Sequence, residues 1–384
     1  GRSKVLPWLD AKDGTRRLVA LRALRASGMD VTEMPLSSLA VGNNPAVRRE
    51  MAVSLRDADP AKALPMLVEI ASRYDGKDRS YLEAFGLGAA GKEEAVWQAI
   101  FGVESKKSGG DPLKWSEAFA RLTWRLHPKA AIEAVKTRAL SDKLSASQRK
   151  LAMDTLAFTP ESAAAQAMLA VAKEKASPIA ADALWWLIKR STDDWAAFGI
   201  AEELKKQGIF DPDKAKLVSI VTPPPPPADK LPVLADVLKL AGNAKNGASV
   251  ATRCVMCHEL NGQGVEFGPA LTGWGKSQPS EVIAEALINP SKDIAHGFEG
   301  HEIITKDGIA IHGMVLSEGD ILIVRCMGGQ TQYIPKNRIK SRRKLPHSLM
   351  LGATQLAMTP QDIADVVAFL RGEEAADGKK TAQK

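Results

Sequence analysis

The sequence predicts a mainly α protein in two parts, a long run of helix hairpins followed by a smaller helical part that carries a β-rich insertion. Three observations predict it. From the start to about residue 221, apolar residues recur every three or four positions with scarcely any strand signal. Residues 223–227 are an unbroken proline run, which forces extended backbone. Between about 297 and 344 the apolar period switches to two, and the strands are bounded by Asp307-Gly308, Glu318-Gly319-Asp320 and Gly328-Gly329.

Taken in order, Leu18, Leu21 and Leu24 line one helix face, and residues 45–57 carry Val47, Met51 and Leu55. Residues 61–74 follow with Leu64, Leu67 and Ile70, so the two stretches form a helix hairpin. Asn44-Pro45 and Asp59-Pro60 supply a cap and a first-turn proline at the two starts, and Pro65 falls early enough in its helix for a kink to be tolerated. Similar pairs recur at 113–127 with 128–140, 146–158 with 161–175, and 179–190 with 193–206. Because one hairpin cannot bury its apolar stripe alone, such pairs stack into an α-solenoid. Trp97, Trp115, Trp124, Trp185, Trp186 and Trp195 fall at helical spacing and read as its core rather than as a ligand-binding box. His127, before Pro128, reads as a capping or surface residue.

The expected domains are therefore a helical repeat at 1–221, a proline-rich linker at 222–230 with a spacer of roughly 15 Å, a second domain at 231–372 and a disordered tail at 373–384. In the second domain, residues 231–240 and 280–288 read as helices, the latter with Ser280 as cap, and Thr359-Pro360 opens the last, with Ile363, Val366, Val367 and Leu370 on its buried face. Strands are expected at 301–305, 309–316, 321–326 and 331–334, making a small antiparallel sheet inserted at about 297–344, with Cys326 as a buried structural thiol.

The chemistry is concentrated in Cys254-Val255-Met256-Cys257-His258, read as the end of a helix that follows Asn246-Gly247. Two thiols three positions apart can each add to a vinyl group of one porphyrin, and the following histidine is then placed as an axial iron ligand. A redox dithiol wants a βαβ context and a zinc site wants two further close Cys or His ligands; the third cysteine, Cys326, is remote. One covalent haem c is the expected cofactor. The glycine-rich stretch 259–271 reads as a loop that passes close to a flat group.

A formal charge of +7 over 384 residues is a mild bias. The densest positive run, Lys336, Arg338, Lys340, Arg342, Arg343 and Lys344, reads either as a solvated strand edge or as a dock for an acidic redox partner or haem propionates. Nucleic acid is not expected, since no aromatic interleaving accompanies it. Covalent haem attachment of this type is normally completed outside the cytoplasm, so a periplasmic or otherwise extracytoplasmic location is expected. The chain opens Gly1-Arg2-Ser3-Lys4 without an apolar signal core or an apolar run of about 18 residues, and is read as a mature product or, preferably, an excised fragment.

For the second axial position the candidates are Met350, Met358, Met314, Met327, His347, His296, His301 and His312. Met350 is preferred, because it lies in the loop before the final helix where a chain folding back can present a thioether; His347, in the same loop, is second. Its separation from His258 is long, but removing 297–344 shortens it to what a compact haem domain accommodates. Met358 reads as core, and His301 and His312 as surface or satisfied polar positions.

Residues 231–372 resemble the C-terminal haem-binding domain of large exported membrane-bound dehydrogenase-type proteins of planctomycetes and verrucomicrobia. The residues that carry the resemblance are Cys254 to His258, Gly268-Pro269-Ala270-Leu271-Thr272-Gly273, Asn289-Pro290-Ser291, Gly297-Phe298-Glu299-Gly300, Thr305-Lys306-Asp307-Gly308, Ser348-Leu349-Met350 and Asp362-Ile363-Ala364-Asp365-Val366-Val367-Ala368-Phe369-Leu370. The helical part is similar to the HEAT-like segment before that domain, matched best at Tyr74-Asp75-Gly76-Lys77-Asp78-Arg79 and Tyr81-Leu82-Glu83-Ala84. The resemblance implies a class I-like cytochrome c domain with thioethers on Cys254 and Cys257, His258 as proximal and Met350 as distal ligand, the Pro269 carbonyl orienting the imidazole, and Leu271 and Trp274 against the haem. Trp274 stands where an aliphatic residue is common, and Leu351 where a proline often follows the methionine. It also implies an upstream propeller-type dehydrogenase domain, absent here, as the electron source. The expected function is thus electron transfer to or from a redox partner, with no catalysis by this chain alone. An open-iron, peroxidase-like enzyme and a solenoid docking platform with a haem sensor are the alternatives.

Overall fold

A computed structural model describes residues 1–34 and 44–372; the expected tail at 373–384 lies outside the described residues. The chain is mainly helical with a small antiparallel sheet towards its C-terminus, and divides into two compact units, residues 1–209 and 210–384.

The first unit runs through α1 (Arg2–Val5), α2 (Gly14–Ala26), α3 (Pro45–Ser54), α4 (Pro60–Ser72), α5 (Arg79–Gly88), α6 (Glu93–Ser108), α7 (Glu117–Leu126), α8 (Ile132–Leu140), α9 (Ala146–Ala157), α10 (Ser162–Lys173), α11 (Ala180–Arg190) and α12 (Ile200–Lys206). Its helix starts follow local chemistry. Asn44 Oδ1 accepts from the Ala46 and Val47 amides, Asp59 Oδ1 from Ala61 and Lys62, and Ser145 forms a reciprocal capping box with Gln148. Helices pack on both the next and the next-but-one neighbour: α8 touches α9 and α10, and α9 touches α10 and α11. Trp97, Trp115 and Trp195 are buried in these contacts, the Trp97 indole donating to Thr123 Oγ1 at 2.9 Å and that of Trp195 to the Thr159 carbonyl at 3.1 Å; Trp124, Trp185 and Trp186 are only half-buried. The helix expected over 193–206 is broken, because Gly199 takes a left-handed conformation between a 3₁₀ turn and α12.

The second unit holds α13 (Leu234–Val237), α14 (Ala244–Val250), α15 (Ser280–Ile288) and α16 (Pro360–Arg371), with a two-stranded ribbon β1 (Glu259–Leu260) and β2 (Gln263–Gly264). The five-stranded antiparallel sheet is β3 (His301–Thr305), β4 (Ala310–Glu318), β5 (Ile321–Cys326), β6 (Thr331–Pro335) and β7 (Ile339–Lys344), in the order β6-β5-β4-β3-β7. Its fifth strand, β7, coincides with the basic run, and four of those cations have carboxylate partners: Arg338 with Asp307 at 3.0 Å, Arg342 with Glu318 at 2.8 Å, Arg343 with Glu302 at 2.6 Å and Lys344 with Glu299 at 3.5 Å.

Several local expectations change. The helix expected at 231–240 shrinks to the four residues of α13, and the cap of α15 is Pro279, with Ser280 as its first helical residue. The stretch read as a loop after His258 contains the β1–β2 ribbon. The units divide after Ile209, ahead of the proline run, because the segment before the prolines is fixed to the sheet. Leu217 and Ile220 pack on its core, Gln332 Nε2 donates to the Val218 carbonyl at 2.8 Å, and the Thr222 amide donates to Nδ1 of buried His312 at 3.1 Å. Gln355 then donates to the Pro224 carbonyl at 3.1 Å, so the proline run has a side-chain partner within this unit.

His127 tests the first unit. It ends α7 in a left-handed conformation at φ 47°, with its ring against Phe158 at 5.6 Å. Burial, with smaller contributions from Arg125 and Arg190, pushes its pKa from 6.5 down to about 4. The unfolded chain therefore binds the proton first, and the stability contributed by the neutral imidazole is complete above pH 6.5 and lost as pH falls towards 4. We predict that His127→Asn, which tolerates the left-handed backbone, loses less stability than wild type between pH 7 and 4, by on the order of 2 kcal/mol. Urea denaturation at the two pH values measures this; equal losses would remove the assignment.

Candidate haem site

The site is built where α14 runs into the Cys-x-x-Cys-His turn. The α-helix stops at Val250 and continues as 3₁₀ turns over Ala251–Met256, so the motif lies on tighter backbone than the helix expected from sequence. The His258 and Cys257 amides both donate to the Cys254 carbonyl, at 2.9 and 3.0 Å. This short ring places the two thiols and the imidazole on one turn.

His258 is buried, and its Nδ1 lies 2.6 Å from the Pro269 carbonyl oxygen. A carbonyl only accepts, so Nδ1 carries the proton; burial holds the pKa below 6.5 despite the opposing pull of Pro269, keeping the ring neutral with its lone pair on Nε2. The ring lies on the backbone of Gly268, where a Cβ would be 2.3 Å from Cε1 and 2.7 Å from Nδ1. Pro269 is held in turn by the surrounding loop. The Leu271 amide donates to the Glu259 carbonyl at 2.8 Å, Thr272 Oγ1 donates to Glu259 Oε1 at 3.1 Å, and the Gly262 amide donates to the same carboxylate at 2.6 Å.

The two cysteines face different apolar cores. Cys254 packs on the helical core made by residues such as Val250, Leu287, Ile363 and Val367, together with Leu271, Trp274 and Met350. Cys257 packs on a second cluster of Phe267, Met314, Leu345 and Leu349. Burial pushes both thiols above their ordinary pKa, partly offset at Cys257 by the Gly328 amide. A redox dithiol needs a lowered pKa to present a thiolate, so these thiols lack that activation. Among the described residues no group of three or more His, Cys, Asp or Glu is placed to hold a metal. The residues present fit a covalent haem: two half-buried thiols on one turn, a neutral imidazole with Nε2 available, and a glycine cradle behind the ring.

Cys254, Leu271, Trp274 and Met350 thus share one core, and His258 and Pro269 meet directly. The other candidates are divided between the same two cores and positions outside them, Met358 sharing the helical core with Cys254 and Met350, and Met314 and Met327 the cluster with Cys257. Met358 and Met314 are buried, while the His296 side chain is fully exposed beside Glu299. His312 bonds Thr222 and lies 3.4 Å from Glu302, and His301 lies 3.2 Å from Arg342. His347 has a buried Nε2 without a hydrogen-bond partner among the described residues, and a pKa lowered chiefly by burial. Sequence reasoning passed over Gly268 as a cradle and Glu259 as the clasp of the Pro269 loop; the Gly268-Pro269 pair, beginning ten residues after His258, was the available signal for the first, and nothing in the sequence marked the second.

Residues 244–307 match the family model of cytochrome c. The chain therefore carries a C-terminal haem-binding domain of that kind, with covalently bound haem c implied and haem-based electron transfer as the function it suggests. The match ends just past β3, before Met350. No curated protein matches the chain. Among the described residues no helix is long and apolar enough to cross a membrane.

Gly268→Ala is expected to push the imidazole off the Pro269 carbonyl, with an overpacking cost of about 1–3 kcal/mol. Haem content per chain and midpoint potential report it; a variant with wild-type content and potential would show that the ring does not depend on this contact.

Proposed function

We propose that this chain is the electron-transfer part of a larger extracytoplasmic dehydrogenase, working through one covalent haem c. The observation that carries the reading is the His258 geometry, a neutral imidazole whose Nδ1 proton is committed to Pro269 and whose Nε2 is left as a donor. Cys254 and Cys257 would hold the group through thioethers, His258 through Nε2 and Met350 through its sulfur. When bound, haem c supplies a reversible one-electron iron couple.

The chain's own residues supply the rest. Val250, Leu271 and Trp274 exclude water on the Cys254 side and Phe267, Met314 and Leu349 on the Cys257 side; a dry surrounding disfavours the more highly charged oxidised state, and a thioether ligand raises the potential above that of a second histidine. Location outside the cytoplasm follows from the chemistry of haem attachment and agrees with cytochrome c domains in general. The stacked helix pairs of the first unit support a HEAT-like repeat on which a redox partner or the dehydrogenase domain docks. With four cations of the basic run paired to carboxylates on or beside β3 and β4, that run reads better as a solvated strand edge than as the dock.

Absorption spectra of the oxidised and reduced protein, with and without Met350→Ala, test the reading. Wild type is expected to be low-spin with a methionine-sulfur charge-transfer band and without peroxidase turnover, and the variant to lose the band. Retention of the band in Met350→Ala would remove this distal ligand. A high-spin wild type that turns over peroxide would favour an open-iron enzyme, and rapid CO binding without electron exchange would favour a haem sensor.

A further inference from the structure

We propose that the five-stranded sheet is a brace for the Met350 loop, with Met314, Leu345 and Leu349 as positioning residues that keep the methionine on the iron. The inference rests on Met350 being the distal ligand.

The sheet has two apolar faces. On β4, Ile311 and Val315 pack into the sheet's own core with Leu322, Val324 and Ile334, whereas Met314 and Leu316, on the opposite face, pack into the cluster that includes Cys257. The second cluster is therefore not needed to close the sheet, and its buried members come from three places: Phe267 from the loop after His258, Met314 from the sheet, and Leu345 and Leu349 from the Met350 loop.

That loop leaves β7 directly, and its first residue is tied back, the Leu345 amide donating to the Gly300 carbonyl at 2.8 Å. Both leucines lie on the Gly300 backbone, where a Cβ would meet Leu349 Cγ at 2.8 Å and Leu345 Cδ1 at 3.1 Å. One residue on, Met350 packs into the other core with Cys254. Ser348 fixes the turn between them, its amide donating to Ser291 Oγ at 3.1 Å and its hydroxyl oxygen accepting from the Met350 amide at 3.0 Å. Consecutive residues are thus anchored in the two cores that hold the two cysteines. A methionine on an unanchored loop would exchange with solvent or added ligand; here it cannot swing away without drawing Leu349 out of the sheet-side cluster.

The test uses the full-length haem-loaded chain carrying Leu349→Ala, Met314→Ala or the volume-conserving Met314→Leu. Both alanine variants are expected to keep covalent haem and helical circular dichroism, to lose the methionine-sulfur band at lower temperature than wild type, and to bind CO in the reduced state at least tenfold faster, with Met314→Leu restoring wild-type behaviour. Folded alanine variants with wild-type band stability and CO rates would overturn the proposal. Should either alanine variant fail to fold, Leu349→Val and Met314→Val decide by the same two readouts. Retention of the band in Met350→Ala would instead remove the ligand assignment, a result separable from normal bands in the brace variants of a protein whose Met350→Ala form has lost it.

Discussion

The C-terminal unit depends on one close approach, the crossing of α14 over α16. A Cβ at Gly247 would lie 1.9 Å from the Asp365 carbonyl oxygen and one at Gly242 would lie 2.4 Å from that of Ala364, so the two segments meet at backbone distance. Buried Asp365 locks the crossing, accepting from the Asn243 amide and Gln361 at 2.8 Å each and from Asn246. Burial alone would raise its pKa; the Asn246, Asn243 and Gln361 bonds together hold it below the usual range, so the carboxylate stays charged and paired. Since α14 leads into Cys254 and α16 follows the loop that carries Met350, this crossing anchors one end of each of those two stretches.

Within that frame the polar groups of the site are few and each has a single task. Pro269 sets the His258 tautomer, Glu259 holds the Pro269 loop, and Ser348 turns the chain at Met350. The side chains clustered with the two cysteines are mainly apolar, with Arg253 beside Cys254 as a charged neighbour. Such a surrounding favours the neutral imidazole and the protonated thiols that covalent attachment starts from, and it lowers the local dielectric around any charge change at the site.

Much of this was legible because it is local. The apolar period located most helices, Asn44, Asp59 and Thr359 marked their starts, and the turn dipeptides bounded β3 to β6 to within a residue or two. The motif spacing pointed to a haem-binding domain from residue type alone, and the family match covers that stretch. What failed to show depends on distant partners. The segment before the prolines joins the sheet because Ile220 and Leu217 find its core and Val218 and Thr222 find hydrogen-bond partners on Gln332 and His312, and β7, five exposed residues after Ile339, lacks the alternation that marks a strand and is held by pairing with β3. The 3₁₀ character of the motif turn and the left-handed break at Gly199 likewise follow from packing and backbone geometry that periodicity does not encode.

The inserted sheet explains how a long stretch between α15 and the Met350 loop leaves the haem domain intact. A flexible loop of that length would carry a closure cost that rises with its length, and its ends would be free to separate. Here the first and last strands are paired antiparallel, His301 opposite Lys344, and Gly300 and Leu345 are hydrogen-bonded just outside them. The insertion therefore leaves the domain and returns to it at neighbouring points, so the helical core sees a short closed connection. The same pairing that makes the sheet topologically neutral delivers Leu345, and with it the loop that carries Met350, to a fixed position.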